Sequence, residues 1–317
     1  EAGDGMRLLA ALLTILAVPA HAANLLVVSQ AAAMLTELDG AGHAERSLSL
    51  AKAPAAVVAA PGGRHAYISH PELGAVSVVD LVAWQVERVV KTGGQPFGLA
   101  LAGERRLLVT DWSANALYAI DLASGEPRRL AVGRSPSSVL VAPDGKLAYT
   151  IDRESDAVSI VDLDAWAVTG TIGVGRAPFA AALTADGALL LVANVQSGDL
   201  SVLDMRERTE RARIAIGGMP YGVAIDPKSG TALVTDQEGG KLALVDVASH
   251  SVTARLPVGD YSEGVVVLDP GSRAAVANWF SDDVALVDLV GRVATHVAVP
   301  AGPRMLAVVP EQEGVAP

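Results

Sequence analysis

One wording recurs along this chain at a nearly constant spacing, and that spacing limits the folds open to it. In residues 189–204, LLLVANVQSGDLSVLD, an apolar run ends at Asn194, a polar loop follows, and a second strand-like run closes at Asp204. Two landmarks repeat with it. The first is a proline ahead of a small-residue strand: Pro54, Pro96, Pro136, Pro178, Pro220, Ser262 in the same slot, and Pro303, at intervals of 42, 40, 42, 42, 42 and 41 residues. The second is an aspartate that ends a strand: Asp39, Asp80, Asp121, Asp162, Asp204, Asp246 and Asp288, at intervals of 41, 41, 41, 42, 42 and 42. Two registers with one period make chance implausible. A period of about 40–45 residues with four strands per unit marks an all-β fold, the β-propeller.

Alternation and turn residues divide each unit into four strands. In the unit from Pro136 these are residues 139–142, 147–151, 157–161 and 167–172. Pro143-Asp144-Gly145 makes the first turn, because Pro fixes φ and Gly permits positive φ. The repeated Asp begins the turn into the fourth strand, where its carboxylate can accept backbone N–H groups. Six complete units start at the landmarks from 54 to 262, and after Pro303 one strand remains, residues 305–309. The strands at 25–29, 34–38 and 46–50 supply the missing three. The sequence thus predicts seven blades of four antiparallel strands, the last blade built from both ends of the chain. Such pairing protects strand edges that would otherwise stay open. The innermost strands are rich in Ala, Gly and Val, which suits the crowded axis.

Aromatics make up 4% of the 317 residues and hydrophobic residues 51%, so Ala, Val and Leu must build the core. The net charge of −11 argues against nucleic acid, which needs a basic surface. Residues 6–22 read as a secretory signal: Arg7, an apolar stretch of about 11 residues, and the small-x-small site Ala20-His21-Ala22. That stretch is too short for a stable membrane span. Cleavage would leave residues 23–317 as a single propeller domain, periplasmic or secreted and monomeric. The chain has no cysteine, so an exported fold rests on burial and strand pairing without disulfides.

The second and third strands carry a wording that resembles the YVTN-type β-propeller repeat, "Y-V-T-N … V-S-V-I-D". The variants include Tyr67-Ile68-Ser69-His70 with Val76-Ser77-Val78-Val79-Asp80, Leu108-Val109-Thr110-Asp111, Tyr149-Thr150-Ile151-Asp152, Leu191-Val192-Ala193-Asn194 and Leu233-Val234-Thr235-Asp236. The resemblance covers residues 24–309 and implies the seven-bladed stand-alone periplasmic type. It also implies an accessory place beside pyrroloquinoline-quinone-dependent alcohol oxidation. Haem-binding propellers and quinoprotein subunits share the wording, so a haem or quinone cofactor belongs to the alternative reading.

The residue after each proline slot should sit at one mouth of the channel: Ala55, Phe97, Ser137, Phe179, Tyr221, Glu263 and Arg304. The loop after the second strand should reach the same face. Its first positions are Gln30, His70, Asp111, Asp152, Asn194, Asp236 and Asn278, and its next positions include Trp112, Arg153, Gln237 and Trp279. A scaffold does not require such variety, and a concave mouth carrying it makes a binding surface. Trp112 and Trp279 are the foremost contacts, because a large ring in a loop has little structural reason to be there. Phe97, Phe179 and Tyr221 either plug the funnel or contact a ligand. Glu263 and Arg304 pair with each other or hold a charged group. His70 is a ligand or a polar loop residue, and Arg153 joins the mouth. Trp84 and Trp166, four residues after a repeated Asp, read as packing between blades on the opposite face.

No histidine pair has zinc spacing, and no CxxCH, GxSxG, Walker or EF-hand motif occurs. The expectation is therefore an exported, non-catalytic propeller that presents its mouth to a protein or a small molecule, with no metal or cofactor. The alternative is an enzyme: a lactonase-like hydrolase, or a redox subunit, using His70, Asp111, Asp152, Glu263 and Arg304.

Overall fold

A computed structural model describes residues 23–310; the signal-like segment 6–22 lies outside the described residues. The fold is a seven-bladed β-propeller, and each blade is a four-stranded antiparallel sheet. Blades 1 to 6 span residues 57–91, 96–131, 136–173, 178–215, 220–257 and 262–298, each running from an inner strand at the axis to an outer one. Blade 7 joins the two ends: its inner strand is Pro303–Val308, followed by Leu25–Ser29, Met34–Leu38 and Ala44–Ser49. Leu25 pairs with Val308 and Val28 with Met305. The terminal strand begins two residues earlier than its apolar run suggests, because Pro303 already pairs with Ser29. Among the described residues no helix is long and apolar enough to cross a membrane.

The core lies between blades. In the second and third strands successive side chains point to opposite faces, and both faces are covered. Leu25 and Val27 pack on blade 6 with Leu268 and Ala277, while Leu26 and Val28 pack on blade 1 with Ile68 and Val79. The same division gives a separate apolar cluster at every one of the seven blade interfaces. This is why these strands read as unbroken apolar runs, while outer strands such as Gln85–Lys91 alternate exposed and half-buried positions.

The repeated aspartates are turn builders. Oδ1 of Asp80, Asp121, Asp162, Asp204, Asp246 and Asp288 each accepts the N–H groups two and three residues on. Asp39 Oδ1 accepts from the N–H groups two and four residues on, those of Ala41 and His43. Each turn then passes through a left-handed residue, among them Trp84 and Trp166. Both tryptophans pack at blade interfaces as expected: Trp166 joins the blade 2–3 cluster and donates from Nε1 to the Arg129 carbonyl, and Trp84 packs at the blade 7–1 seam under Arg46.

Candidate functional site: an aromatic cup at the channel mouth

The proline slot acts through a bulge. In blades 2 to 6 the inner strand pairs normally at the slot residue and then loses register over the next one to three positions. Blade 7 shows the same break between Met305 and Pro303. A bulge leaves a residue unpaired and re-aims its side chain. Here it turns Phe97, Phe179, Tyr221, Glu263 and Arg304 towards the mouth. Hydroxyls from one blade stitch it to the inner strand of the next at this level. Ser69 donates to the Phe97 carbonyl (2.7 Å), Ser137 to that of Phe179 (2.7 Å) and Thr235 to that of Glu263 (2.8 Å).

The result is an open cup of about 610 Å³. Trp112, Arg153, Phe179, Tyr221, Tyr261, Glu263, Trp279, Phe280 and Arg304 line it, with Gln30, Val195, Met219 and Gln237. Among the described residues blade 1 contributes nothing to the lining, so the cup is lopsided although the scaffold is regular.

Its floor is a chain of aromatic contacts. Phe97 meets Trp112 at 5.6 Å and Phe179 edge-on at 5.7 Å, and Phe179 lies 4.0 Å from Tyr221. Arg304 is held rigidly above it. Nη1 donates to Gln30 (3.0 Å), Nη2 donates to the Tyr221 hydroxyl (2.7 Å), and the guanidinium covers Phe97 and Trp279. Glu263 stands beside it with Oε1 accepting from Gln237 Nε2 (2.8 Å). Glu263 Oε2 lies 3.3 Å from Arg304 Nε, but neither buried atom has an aligned hydrogen bond. Burial pushes the Glu263 carboxyl up to about 7, although Arg304 and Gln237 pull it down. Burial also raises the Tyr221 phenol. Arg153 leans over Trp112 at 5.7 Å and pairs with Glu154.

Seven of the nine residues singled out from the sequence therefore meet in the cup: Trp112, Trp279, Phe179, Tyr221, Glu263, Arg304 and Arg153. Phe97 lies beneath them and plugs the funnel. His70 does not reach the cup. It is fully buried, with Nδ1 against the Lys52 carbonyl (3.1 Å) and Nε2 against Ser77 (2.9 Å), and burial lowers its pKa.

His70 belongs to a structural series. Asp152 and Asn194 occupy the same position in their blades and bond the serine seven residues on, Ser159 (2.5 Å) and Ser201 (2.9 Å). Burial pushes Asp152 up to about 6. Asp111 caps its loop through Gln95, Ser113 and Ala114. These groups are locked into separate blades, so the acid/base set His70–Asp111–Asp152 does not converge.

Three cup residues carry no proline-slot or loop-start signal: Met219, Tyr261 and Phe280. Tyr261 precedes the slot at φ 60°, where equivalent positions hold Ala53, Ser135, Ala177 and Gly302. A bulky side chain there is a backbone outlier of the kind that clusters at functional sites. It stacks on Phe280 (4.6 Å), which is 68% exposed at the rim.

No protein-family model and no curated protein matches the chain. Among solved structures it is similar to the hydrazine synthase of Kuenenia stuttgartiensis, with a TM-score of 0.75 and 18% identity over 82% of this chain and 90% of that one. It is similar to the dihydro-heme d1 dehydrogenase NirN in complex with DHE (TM-score 0.70, 18% identity, 92% and 76% covered). A functionally unknown protein from Desulfotomaculum acetoxidans gives a TM-score of 0.79 at 11% identity, covering 91% and 100%. At these identities the likenesses establish the propeller fold and nothing finer.

Proposed function

We propose that this chain is an exported, non-catalytic binding propeller of the YVTN type whose cup holds a small planar molecule, as an accessory to periplasmic oxidation or transport. The observation that carries the reading is the cup itself. A regular scaffold places six aromatic side chains, two arginines and one glutamate around about 610 Å³ at one mouth. Concave, largely apolar sites with a few fixed polar groups are where small ligands bind. Export rests on the signal-like segment 6–22. A redox subunit holding haem or a quinone is the second reading, favoured by the same flat aromatic walls and by the heme d1 enzyme among the structural neighbours. For an iron, the lining offers the Met219 sulfur and the hydroxyls of Tyr221 and Tyr261.

The test is a thermal-shift screen against flat aromatic acids, quinones and tetrapyrroles, on the wild type and on a Trp112→Ala/Trp279→Ala variant. A ligand present at a hundred times its Kd stabilises the folded state by about 2.7 kcal/mol. For a chain of this length that raises Tm by about 4 °C. The wild type should show this rise with at least one class and the double variant should lose it. Equal shifts in both proteins would move binding away from the cup. An absorption band above 400 nm in the purified protein would favour the redox reading.

A further inference from the structure

We propose, building on the binding reading above, that the cup is a receptor for aromatic organic carboxylates and takes up such an anion together with a proton on Glu263. Three observations lead there. The first is charge. The chain carries a net charge of −11, yet the charged residues lining the cup are Arg153, Arg304 and a single carboxylate, Glu263. A locally positive recess on an acidic protein selects anions, and beside the buried Arg304 charge interactions strengthen because the local dielectric is lower than in water.

The second is how the pair is built. Gln30 and Tyr221 fix both terminal nitrogens of Arg304, so its charge stays in place. Glu263 is held through Oε1 alone, and Oε2 accepts no aligned hydrogen bond. A proton on Oε2 therefore breaks no hydrogen bond, and it leaves Arg304 without its counter-charge, while Arg153 keeps its pairing with Glu154. The remaining groups facing the carboxyl are the neutral side chains Tyr221, Tyr261 and Gln237, with Arg153 across the cup. The raised pKa of Glu263, about 7, puts this protonation within reach near neutrality.

The third is shape. Trp112 and Trp279 each sit under an arginine, and Tyr261 and Phe280 extend the wall to the rim. A flat ring bearing a carboxylate would meet aromatic faces and a guanidinium together.

Linkage gives the sign. A bound anion favours the protonated form of Glu263, so affinity is full below about pH 7 and falls as pH rises, by up to about tenfold per unit. The experiment is calorimetric titration with three probes of one shape: naphthalene-2-carboxylate, naphthalene-2-carboxamide and 2-naphthylmethylammonium. At about pH 6 the carboxylate should bind at least about tenfold more tightly than the amide, a difference of about 1.4 kcal/mol. Near pH 7.5 its binding should take up most of one proton, read from two buffers of different ionisation enthalpy. Glu263→Gln should remove the pH dependence and the proton uptake while keeping the preference for the anion.

Equal binding of carboxylate and amide, or carboxylate binding by the wild type without proton uptake, overturns the proposal and leaves the cup a ligand site. Failure of all three probes to bind overturns this proposal, while the thermal-shift comparison with the Trp112→Ala/Trp279→Ala variant decides the cup reading separately. Proton uptake is measured on the wild type, so the outcome does not depend on whether the variant folds.

Discussion

Gly222 is where the geometry of the axis can be tested most sharply. It lies on the inner strand of blade 5, and a methyl group added to it would sit 2.2 Å from the Glu263 carbonyl oxygen of blade 6 and 3.0 Å from Thr235 Oγ1. Carbon–oxygen contacts begin at roughly 3.4 Å, so Gly222→Ala must push the two inner strands apart by about 1 Å. Overpacking of this kind costs about 1–3 kcal/mol. The same shift strains the bridge in which Gly222 N donates to Thr235 Oγ1 (2.7 Å) and that hydroxyl donates to the Glu263 carbonyl (2.8 Å). Losing it adds about 1 kcal/mol. The total is about 2–4 kcal/mol. With an unfolding entropy of about 2.1 cal/mol/K per residue, this lowers Tm by about 3–6 °C. Scanning calorimetry reads the change, and Gly173→Ala, whose added methyl meets nothing within 4 Å, is the control. The variant should also bind the naphthoate probe more weakly, because the backbone that carries Glu263 moves. A Tm within a degree of wild type would refute the close approach of blades 5 and 6.

Asp152→Asn should stabilise the protein most at about pH 7.5 and much less near pH 4.5, where about 1 kcal/mol of the effect persists because the unfolded carboxyl, with its ordinary value of 3.8, is still mostly ionised. Burial raises the folded carboxyl to about 6, so the native state binds the extra proton and this group adds stability as pH falls. The gain at pH 7.5, on the order of 1–3 kcal/mol, follows from that two-unit shift; urea melts at both pH values measure it, and an equal effect at each would count against the assignment. Leu306→Ala should cost about 2–5 kcal/mol, because Leu306 is buried in the terminal strand against Leu25, Val27 and Leu38. A urea midpoint shift too small for that cost would mean the seam carries little of the fold.

Most of the architecture was legible because it is written seven times. The proline slots and the closing aspartates gave blade number, strand order and the join between the chain ends. The cup was legible for the same reason. In a repeat, positions that depart from the scaffold stand out, and Glu263, Arg304, Trp112 and Trp279 did. His70 was misplaced because the position that opens a loop also lies at the end of a buried strand. The serine seven residues later turns the side chain inward, and Ser77, Ser159 and Ser201 share that spacing. Tyr261 and Phe280 escaped notice because they stand one step outside both registers. A tyrosine at a left-handed position where blades 1, 3, 4 and 7 place Ala, Ser or Gly was the available signal for the first. The bulge that aims the cup residues carries no composition of its own and appears only in the pairing.

The join between Pro303–Val308 and Leu25–Ser29 turns a linear chain into a hoop. A hoop has no end from which to fray. Any blade that leaves must strip two neighbours at once, and the two clusters flanking the seam, around Leu306 and Ala307, must open together. Contacts that span nearly the whole described sequence make assembly slow, because the closing strand has to find a partner hundreds of residues away. The same arrangement makes disassembly slow too, and persistence of the folded form in a harsh surrounding then depends on the height of that barrier as well as on equilibrium stability.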